Sequence, residues 1–346
     1  MLSWQVAVPI TGTAVAGLVA CGLILSLGPV VYRTVEVIQF VLVAGIFTAL
    51  VILAAVLVSG DTVMALAAGA VQFGRIPEGV ELPMLLGALA FAGAGGSVNL
   101  AQSNYIKDKG YGMGRWIGRI TSPFTGRVEA VSEVGVGFEG DEANLTRWKV
   151  WWRRTNMEHF LCFYLLCLLS LALFCLLAGT LLEPGAPVSE GFGFIRDEAR
   201  ELERRFGAIG SGVFLGVGIA VLFSTELALL DAVARVAADL LKVGFFRASP
   251  VSLSRLYFGV VWAMIAFGVL VIASGFNQPL LLIVLSASLN GFVMFLYSGL
   301  LLWMNGVSFR GPLRPHPIRS LALLGSLLFF GDFSARTIAV QLAKFG

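Results

Sequence analysis

Long apolar segments separated by polar connections run along the whole chain. A transmembrane helix needs about 20 predominantly apolar residues, and eight segments meet this length: 5–28, 34–59, 83–106, 159–182, 209–241, 255–275, 279–304 and 318–342. No segment alternates apolar and polar residues in the way that strands of a membrane β-barrel do. The pattern predicts an all-α fold, a polytopic membrane helix bundle with about eight transmembrane helices, forming a single transmembrane domain over residues 1–346.

Two connections are long enough to carry structure of their own. Residues 107–157 form a predicted cytoplasmic loop insertion, which ends in tryptophans interleaved with arginine and lysine. That mixture is typical of an interfacial anchor, and contact with anionic lipid is the alternative. Residues 183–208 form a predicted extracytoplasmic loop, with a short helix over the Glu/Arg-rich stretch 194–206.

Basic residues indicate the orientation of the segments. They follow the first, third, fifth and seventh segments, whereas the other connections have little net positive charge. Because cytoplasmic loops are enriched in lysine and arginine, every odd-numbered segment is expected to end in the cytoplasm. Both ends of the chain are then expected outside.

Composition narrows the class of protein further. The chain of 346 residues is 58% hydrophobic and only 13% charged, whereas soluble domains average roughly 25% charged residues. This is the composition of an integral membrane protein surrounded by lipid. The formal charge of +3 is too small and too scattered to predict nucleic acid as a partner. No nucleophile–base pair, dinucleotide fingerprint or haem motif is present, so neither an enzyme nor a cofactor is predicted.

The third segment has a polar, glycine-rich interruption at its middle. Residues 85–106 have the sequence LLGALAFAGAGGSVNLAQSNYI, in which Gly93, Gly95 and Gly96 come shortly before Ser97 and Asn99. Glycine weakens a helix interior, and irregular backbone at that depth survives only against protein or a wet cavity. The pattern predicts a discontinuous helix of the kind that holds substrates in transporters. A continuous helix that uses its glycines for close packing is the alternative.

The fifth segment carries charged residues inside an apolar helix. Asp231, Arg235 and Asp239 are spaced i, i+4, i+8 and therefore share one face. We interpret them as structural ion pairs, with a proton path as the alternative. Glu226 lies away from that face. It is a candidate proton or second-cation residue, or else a carboxylate that joins two helices.

Polar residues also occur in the seventh segment. Ser286, Ser288 and Asn290 lie within its apolar sequence. Hydroxyl and amide groups at that depth either line an aqueous route or tie neighbouring helices together. Both interpretations stay open at this point.

Three stretches give the chain a resemblance to the Nramp family of divalent-metal transporters: VYRTVEVIQFVLV, residues 94–100, and FSTELALLDAVARVAAD. More narrowly, the chain resembles a divergent bacterial branch of that family, which implies a multi-pass protein of the bacterial inner (plasma) membrane. The resemblance implies a five-plus-five inverted repeat, shared with the amino-acid permeases, and a substrate site between the unwound centres of helices one and six. The third segment here would correspond to family helix six.

The resemblance also implies a ligand set. The family motif Met-Pro-His-Asn in helix six aligns with residues 96–99, where only the asparagine is retained. Replacement of the soft thioether ligand by glycine leaves oxygen ligands, which suit a harder ion such as magnesium. The implied transported species are a divalent metal cation and protons. The cation-binding residues would be Ala94, Gly96, Ser97, Asn99 and Gln102, and Glu226 would be the proton or second-cation residue.

One family feature is missing from the sequence. The first-helix motif Asp-Pro-Gly-Asn does not occur, and family helices one to three have no counterpart before Val6. We expect the chain to correspond to family helices four to eleven, as an incomplete inverted-repeat fold, and to transport little alone. A permease or symporter for a small organic solute and a non-transporting membrane scaffold are the alternatives. The oligomeric state is not predicted.

Overall fold

A computed structural model describes residues 10–72, 95–96, 98–127, 129, 137–182, 193–275, 279–309 and 311–345. The α-helices in this part of the chain are α1 (Ile10–Leu27), α2 (Val31–Leu57), α3 (Gly60–Ala70), α4 (Val98–Asp108), α5 (Glu142–His159), α6 (Leu166–Leu181), α7 (Gly193–Gly244), α8 (Leu253–Ala273), α9 (Pro279–Ser308) and α10 (Pro317–Phe345). A π-helix, Phe160–Leu165, connects α5 directly to α6. Two short 3₁₀-helices cover Gly112–Trp116 and Gly311–Leu313.

The described helices confirm an all-α polytopic membrane fold. Six helical stretches are long and apolar enough to cross a membrane: Val31–Leu57, Glu142–Leu181, Ile195–Gly244, Leu253–Ala273, Leu285–Ser308 and Pro317–Ala339. Large apolar side chains on them are exposed, for example Phe40, Ile219 and Phe267, as expected for surfaces that face lipid. Helix α1 is apolar but shorter. Most of the predicted third segment lies outside the described residues.

Helix α7 contains a break at Gly207. The backbone there has φ 67° and ψ −165°, which no helical residue adopts. The Glu/Arg-rich residues 194–206 therefore precede the apolar part of α7 and are separated from it by the break. Glycine is suited to this position because it lacks a Cβ that would clash at positive φ.

The chain divides into two compact units. The first comprises residues 1–69, 103–136 and 169–277, and the second comprises residues 70–102, 137–168 and 278–346. In the first unit, α1 packs against α7 and α8, α2 packs against α7, and α7 packs against α8. Its main apolar core contains buried residues from these four helices, including Cys21, Val35, Leu227, Tyr257 and Val261.

In the second unit, α9 packs against α10. Gly291 faces the Phe333 ring so closely that a Cβ would lie 2.6 Å from a ring carbon. Close approach through small residues is how membrane helices gain packing energy where lipid offers no hydrophobic drive. The hydroxyls of Ser298 and Ser326 add an interhelical hydrogen bond of 3.1 Å.

Residues 117–127, called the docked loop below, lie against the turn between α1 and α2. The N–H of Val31 donates to the carbonyl of Ile120 at 3.2 Å, and the N–H of Ser122 donates to that of Pro29 at 3.2 Å. The Thr125 hydroxyl donates to the Leu27 carbonyl at 2.7 Å. The last carbonyls of a helix have no partner inside the helix, so the docked loop satisfies groups that α1 leaves open.

Candidate functional site

The backbone at Gly96 interrupts the predicted third segment. Its φ is +61°, in the left-handed region, and α4 begins two residues later at Val98. An α-helix requires φ near −63° at every residue, so no uninterrupted helix runs through Gly96. The predicted ligands Ala94 and Ser97 lie outside the described residues, together with residues 73–93.

Asn290 of α9 lies directly over Gly96. A Cβ built on Gly96 would overlap the side-chain amide of Asn290. Gly96 is buried and Asn290 is half-buried. Only a residue without a side chain lets the amide approach the backbone this closely. The seventh-segment asparagine and the glycine break are therefore neighbours, although 194 residues separate them in the chain.

Asn99 makes a second contact with the same helix. Its side-chain Nδ2 donates to the hydroxyl of Tyr297 at 2.7 Å. Tyr297 follows Asn290 by seven residues, and seven residues make almost two helical turns, so both side chains share one face of α9. Since the amide nitrogen of Asn99 is the donor, its oxygen remains an acceptor.

Gln102, the last predicted cation-binding residue, contacts a different helix. Its Nε2 lies 2.6 Å from Nδ1 of His159, at the end of α5. The imidazole is stacked on Phe163, with 4.8 Å between ring centroids. This pair is exposed. The structure thus places Gln102 with His159 rather than with the Asn99–Tyr297 pair.

The residues Gly96, Asn99, Asn290 and Tyr297 are called the polar break below. They offer amide, phenol and backbone oxygens, all of them neutral. In the described part of the chain, no group of three or more His, Cys, Asp or Glu side chains is arranged to hold a metal ion. A cation at the polar break would therefore meet neutral oxygen donors, which hard cations accept and soft metals do not select.

Arg235 is the centre of a second polar cluster, in the first unit. Its Nε donates to Asp231 Oδ1 at 2.9 Å, and its Nη1 pairs with Asp108 at the end of α4. Two phenols complete the cluster: Tyr105 donates to Asp231 at 3.0 Å and Tyr257 at 2.6 Å. All of these polar groups except Arg235 Nη2 have a hydrogen-bond partner or some exposure in the described part of the structure. A buried charge requires such compensation to be tolerated.

The predicted stripe of three charges is only partly assembled. Asp231 and Arg235 pair, whereas the second carboxylate on Arg235 is that of Asp108 and not that of Asp239. The guanidinium also lies 5.2 Å from the Tyr105 ring centroid. Ion pairing therefore links α7 to the C-terminal end of α4 instead of running along α7.

Glu226 lies half-buried on α7, in the first unit, whereas the polar break belongs to the second. Nearby, the carbonyl of Ser224 accepts a hydrogen bond of 2.6 Å from Gln39 of α2. Glu226 itself makes no ion pair with a described residue.

Sequence reasoning missed Tyr297 and Asp108. Tyr297 had a usable signal, because it follows Asn290 by seven residues on a helix that already carried polar groups. Asp108 had none, since it comes at the end of a segment 127 residues before Arg235. Pairing over that distance is set by tertiary packing.

Comparison of the chain with protein-family models, curated proteins and solved structures gives no match.

Proposed function

We propose that the chain belongs to a secondary transporter of a divalent cation, and that the cation binds at the polar break. The observation that carries the proposal is the side-chain amide of Asn290 placed over the left-handed backbone at Gly96. Non-helical backbone within a membrane protein, flanked by polar side chains, is how many transporters hold a substrate. The Nramp resemblance puts its substrate at the same point of the chain, and would place the protein in a bacterial inner membrane.

Magnesium is the divalent ion that fits the described donors best. The Asn99 oxygen, the Asn290 amide and the Tyr297 hydroxyl are hard, neutral ligands. Mg²⁺ binds oxygen and keeps several of its waters, so it needs few protein ligands. Iron, zinc and copper sites gain selectivity from softer sulfur or imidazole ligands, and neither belongs to the polar break. In this proposal Glu226 is the proton or second-cation residue.

A binding experiment tests the site. Thermal unfolding of the detergent-solubilised chain is followed with added Mg²⁺, Mn²⁺ or Ca²⁺, for wild type and for N99A and N290A. The matched control is N305A, which removes the same amide from α9 fifteen residues further along. A ligand that binds only the folded state raises Tm with concentration. We expect Mg²⁺ to raise the Tm of wild type and of N305A. The Tm of N99A and of N290A should not change.

Two results would contradict the proposal, one in binding and one in uptake. If Mg²⁺ raises the Tm of N290A as much as that of N305A, the cation does not bind at the polar break. Uptake of Mg²⁺ by cells that express the gene tests transport itself, with the same three variants. Wild-type binding without gene-dependent uptake would leave a binding protein and exclude the transporter.

A permease for a small organic solute is the second candidate. The observation that favours it is the neutrality of the polar break, because amides and a phenol bind zwitterions and neutral polar solutes as readily as cations. The same Tm measurements with amino acids in place of metals separate the two. A response to an amino acid that N99A abolishes, with no response to Mg²⁺, would select the permease. A scaffold with a continuous third helix conflicts with the conformation of Gly96.

A further inference from the structure

A cleft of about 720 Å³ opens immediately after α4, and none of its lining residues belongs to the polar break. Its walls come from one short stretch of chain and one later residue: Asp108, Lys109, Gly110, Gly114, Arg115, Trp116, Ile117, Gly118, Arg119 and Glu129. We propose that this cleft binds the headgroup phosphate of an anionic phospholipid at the cytoplasmic face of the membrane.

The charge of the cleft favours an anion. Its two acidic residues are already neutralised, Asp108 by Arg235 and Glu129 by Arg119 at 3.0 Å. Arg115 is exposed and makes no ion pair with a described residue. Lys109 also lines the cleft, and its ammonium lies 5.2 Å from the centroid of the Tyr111 ring. The lining therefore has a surplus of positive charge, which an arginine directs well toward a phosphate.

The backbone after α4 forms a tight turn. Gly110 and Gly112 have φ of +82° and +56°, which turn the chain back after α4. Gly114 packs so tightly on that helix end that a Cβ would lie 2.9 Å from the Cα of Lys107. The N–H of Arg119 is held by Glu129 at 2.8 Å. Arg115 thus projects from a preorganised turn, which lowers the entropic cost of binding.

An exposed aromatic side chain in the cleft favours a lipid over a soluble phosphate. Trp116 lines the cleft and is 83% exposed, although large aromatic side chains are normally covered. The Arg115 guanidinium lies 5.7 Å from the Trp116 ring centroid. Tryptophan prefers the headgroup level of a bilayer. An indole beside a phosphate-binding arginine suits a phospholipid, whose phosphate and acyl chains come together, and has no role for a free anion.

The proposal is tested by native mass spectrometry of the detergent-solubilised chain with phosphatidylglycerol or phosphatidylcholine. The variants R115Q and K109Q each remove one charge from the cleft. The control R153Q removes one charge from α5, where Arg153 is exposed and outside the cleft. We expect wild type and R153Q to retain phosphatidylglycerol in preference to phosphatidylcholine. R115Q and K109Q should each lose about fivefold in affinity, the factor that corresponds to about 1 kcal/mol for one basic residue at a membrane surface.

Each other outcome overturns the proposal. Equal losses in R115Q and R153Q would mean that only the general basic charge of the cytoplasmic surface attracts lipid. Equal retention of phosphatidylcholine would exclude recognition of the anionic headgroup. If millimolar glycerol phosphate displaces the lipid, and W116A does not change lipid retention, the cleft binds a soluble phosphate compound. The lipid-binding readout is independent of cation transport, so this proposal and the proposed function fail separately.

Discussion

At the scale of single residues, Arg235 shows what a charge inside this protein requires. Its side chain is 1% exposed and it is bound by two carboxylates from different helices. Desolvation of a charge costs several kcal/mol, and only good hydrogen bonding and pairing offset that cost. The phenols of Tyr105 and Tyr257 supply the additional donors that Asp231 needs.

Removing one of those donors is expected to destabilise the fold. Y257F deletes only the hydroxyl that donates to Asp231 at 2.6 Å, and a hydrogen bond to a charged group contributes about 1.5–3 kcal/mol. The measurement is the free energy of unfolding in detergent. The control is Y164F, whose ring is 57% exposed. A loss in Y257F no larger than that in Y164F would mean that Asp231 is adequately bound without it.

Gly96 gives a second residue-scale prediction. G96A forces alanine into the left-handed region, at about 1–2 kcal/mol, and drives its Cβ into the Asn290 amide. The control G45A lies in α2 where a Cβ meets nothing within 4 Å, and it should be neutral or slightly stabilising. Unfolding temperatures of G96A and G96A/N290A provide the decisive comparison. In the double variant, N290A should restore part of the decrease in unfolding temperature that G96A causes. If the effects of the two substitutions simply add, the two residues are not in contact.

At the scale of elements, a partly exposed ion pair between Arg119 and Glu129 adds to the hydrogen bonds that hold the docked loop. Hydrogen bonds from the Arg119 side chain hold the pKa of the Glu129 carboxyl below its usual range. A lowered pKa means that the pair stabilises the fold above the ordinary carboxyl pKa. The contribution is lost as the pH falls through the lowered value. Because both side chains are partly exposed, the contribution is below about 1 kcal/mol.

Hydrogen exchange of the docked loop checks this titration. After correction for intrinsic rates, protection of the peptide 117–127 should fall in wild type as the pH drops below about 4. E129Q should lack that step and exchange faster at pH 7, while E142Q, an exposed acid at the start of α5, should behave as wild type. A step that persists in E129Q would assign the titration to another group.

Hydropathy predicts elements well here and contacts between elements poorly. The predicted segments 34–59 and 255–275 agree closely with α2 (Val31–Leu57) and α8 (Leu253–Ala273), because an apolar stretch of that length has one stable form in lipid. Helical periodicity also predicts that Asp231 and Arg235 share a face. It contains nothing about Asp108, nor about the docked loop, because both depend on packing between distant parts of the chain.

At the scale of the whole molecule, the docked loop bears on orientation. It contacts the turn between α1 and α2, so both lie on one side of the membrane, and the distribution of basic residues predicts that this side is the cytoplasm. The π-helix Phe160–Leu165 carries the chain from α5 into α6 without a break.

Thiol labelling tests the orientation. In a variant without the native Cys21, Cys162, Cys167 and Cys175, a single cysteine is introduced as D61C or R247C. Both positions are exposed. A membrane-impermeant maleimide added to intact cells should label D61C, and R247C only after the membrane is opened. The reverse pattern would invert the assignment of every connection.

The docked loop also imposes a sequence of events on biosynthesis. Ser122 and Thr125 bond to carbonyls 96 and 98 positions earlier in the chain. The ribosome finishes the hairpin of α1 and α2 long before it reaches those side chains. The Ser26 and Leu27 carbonyls therefore cannot gain these partners until the docked loop has been synthesised. Final folding of the hairpin waits for a later part of the chain.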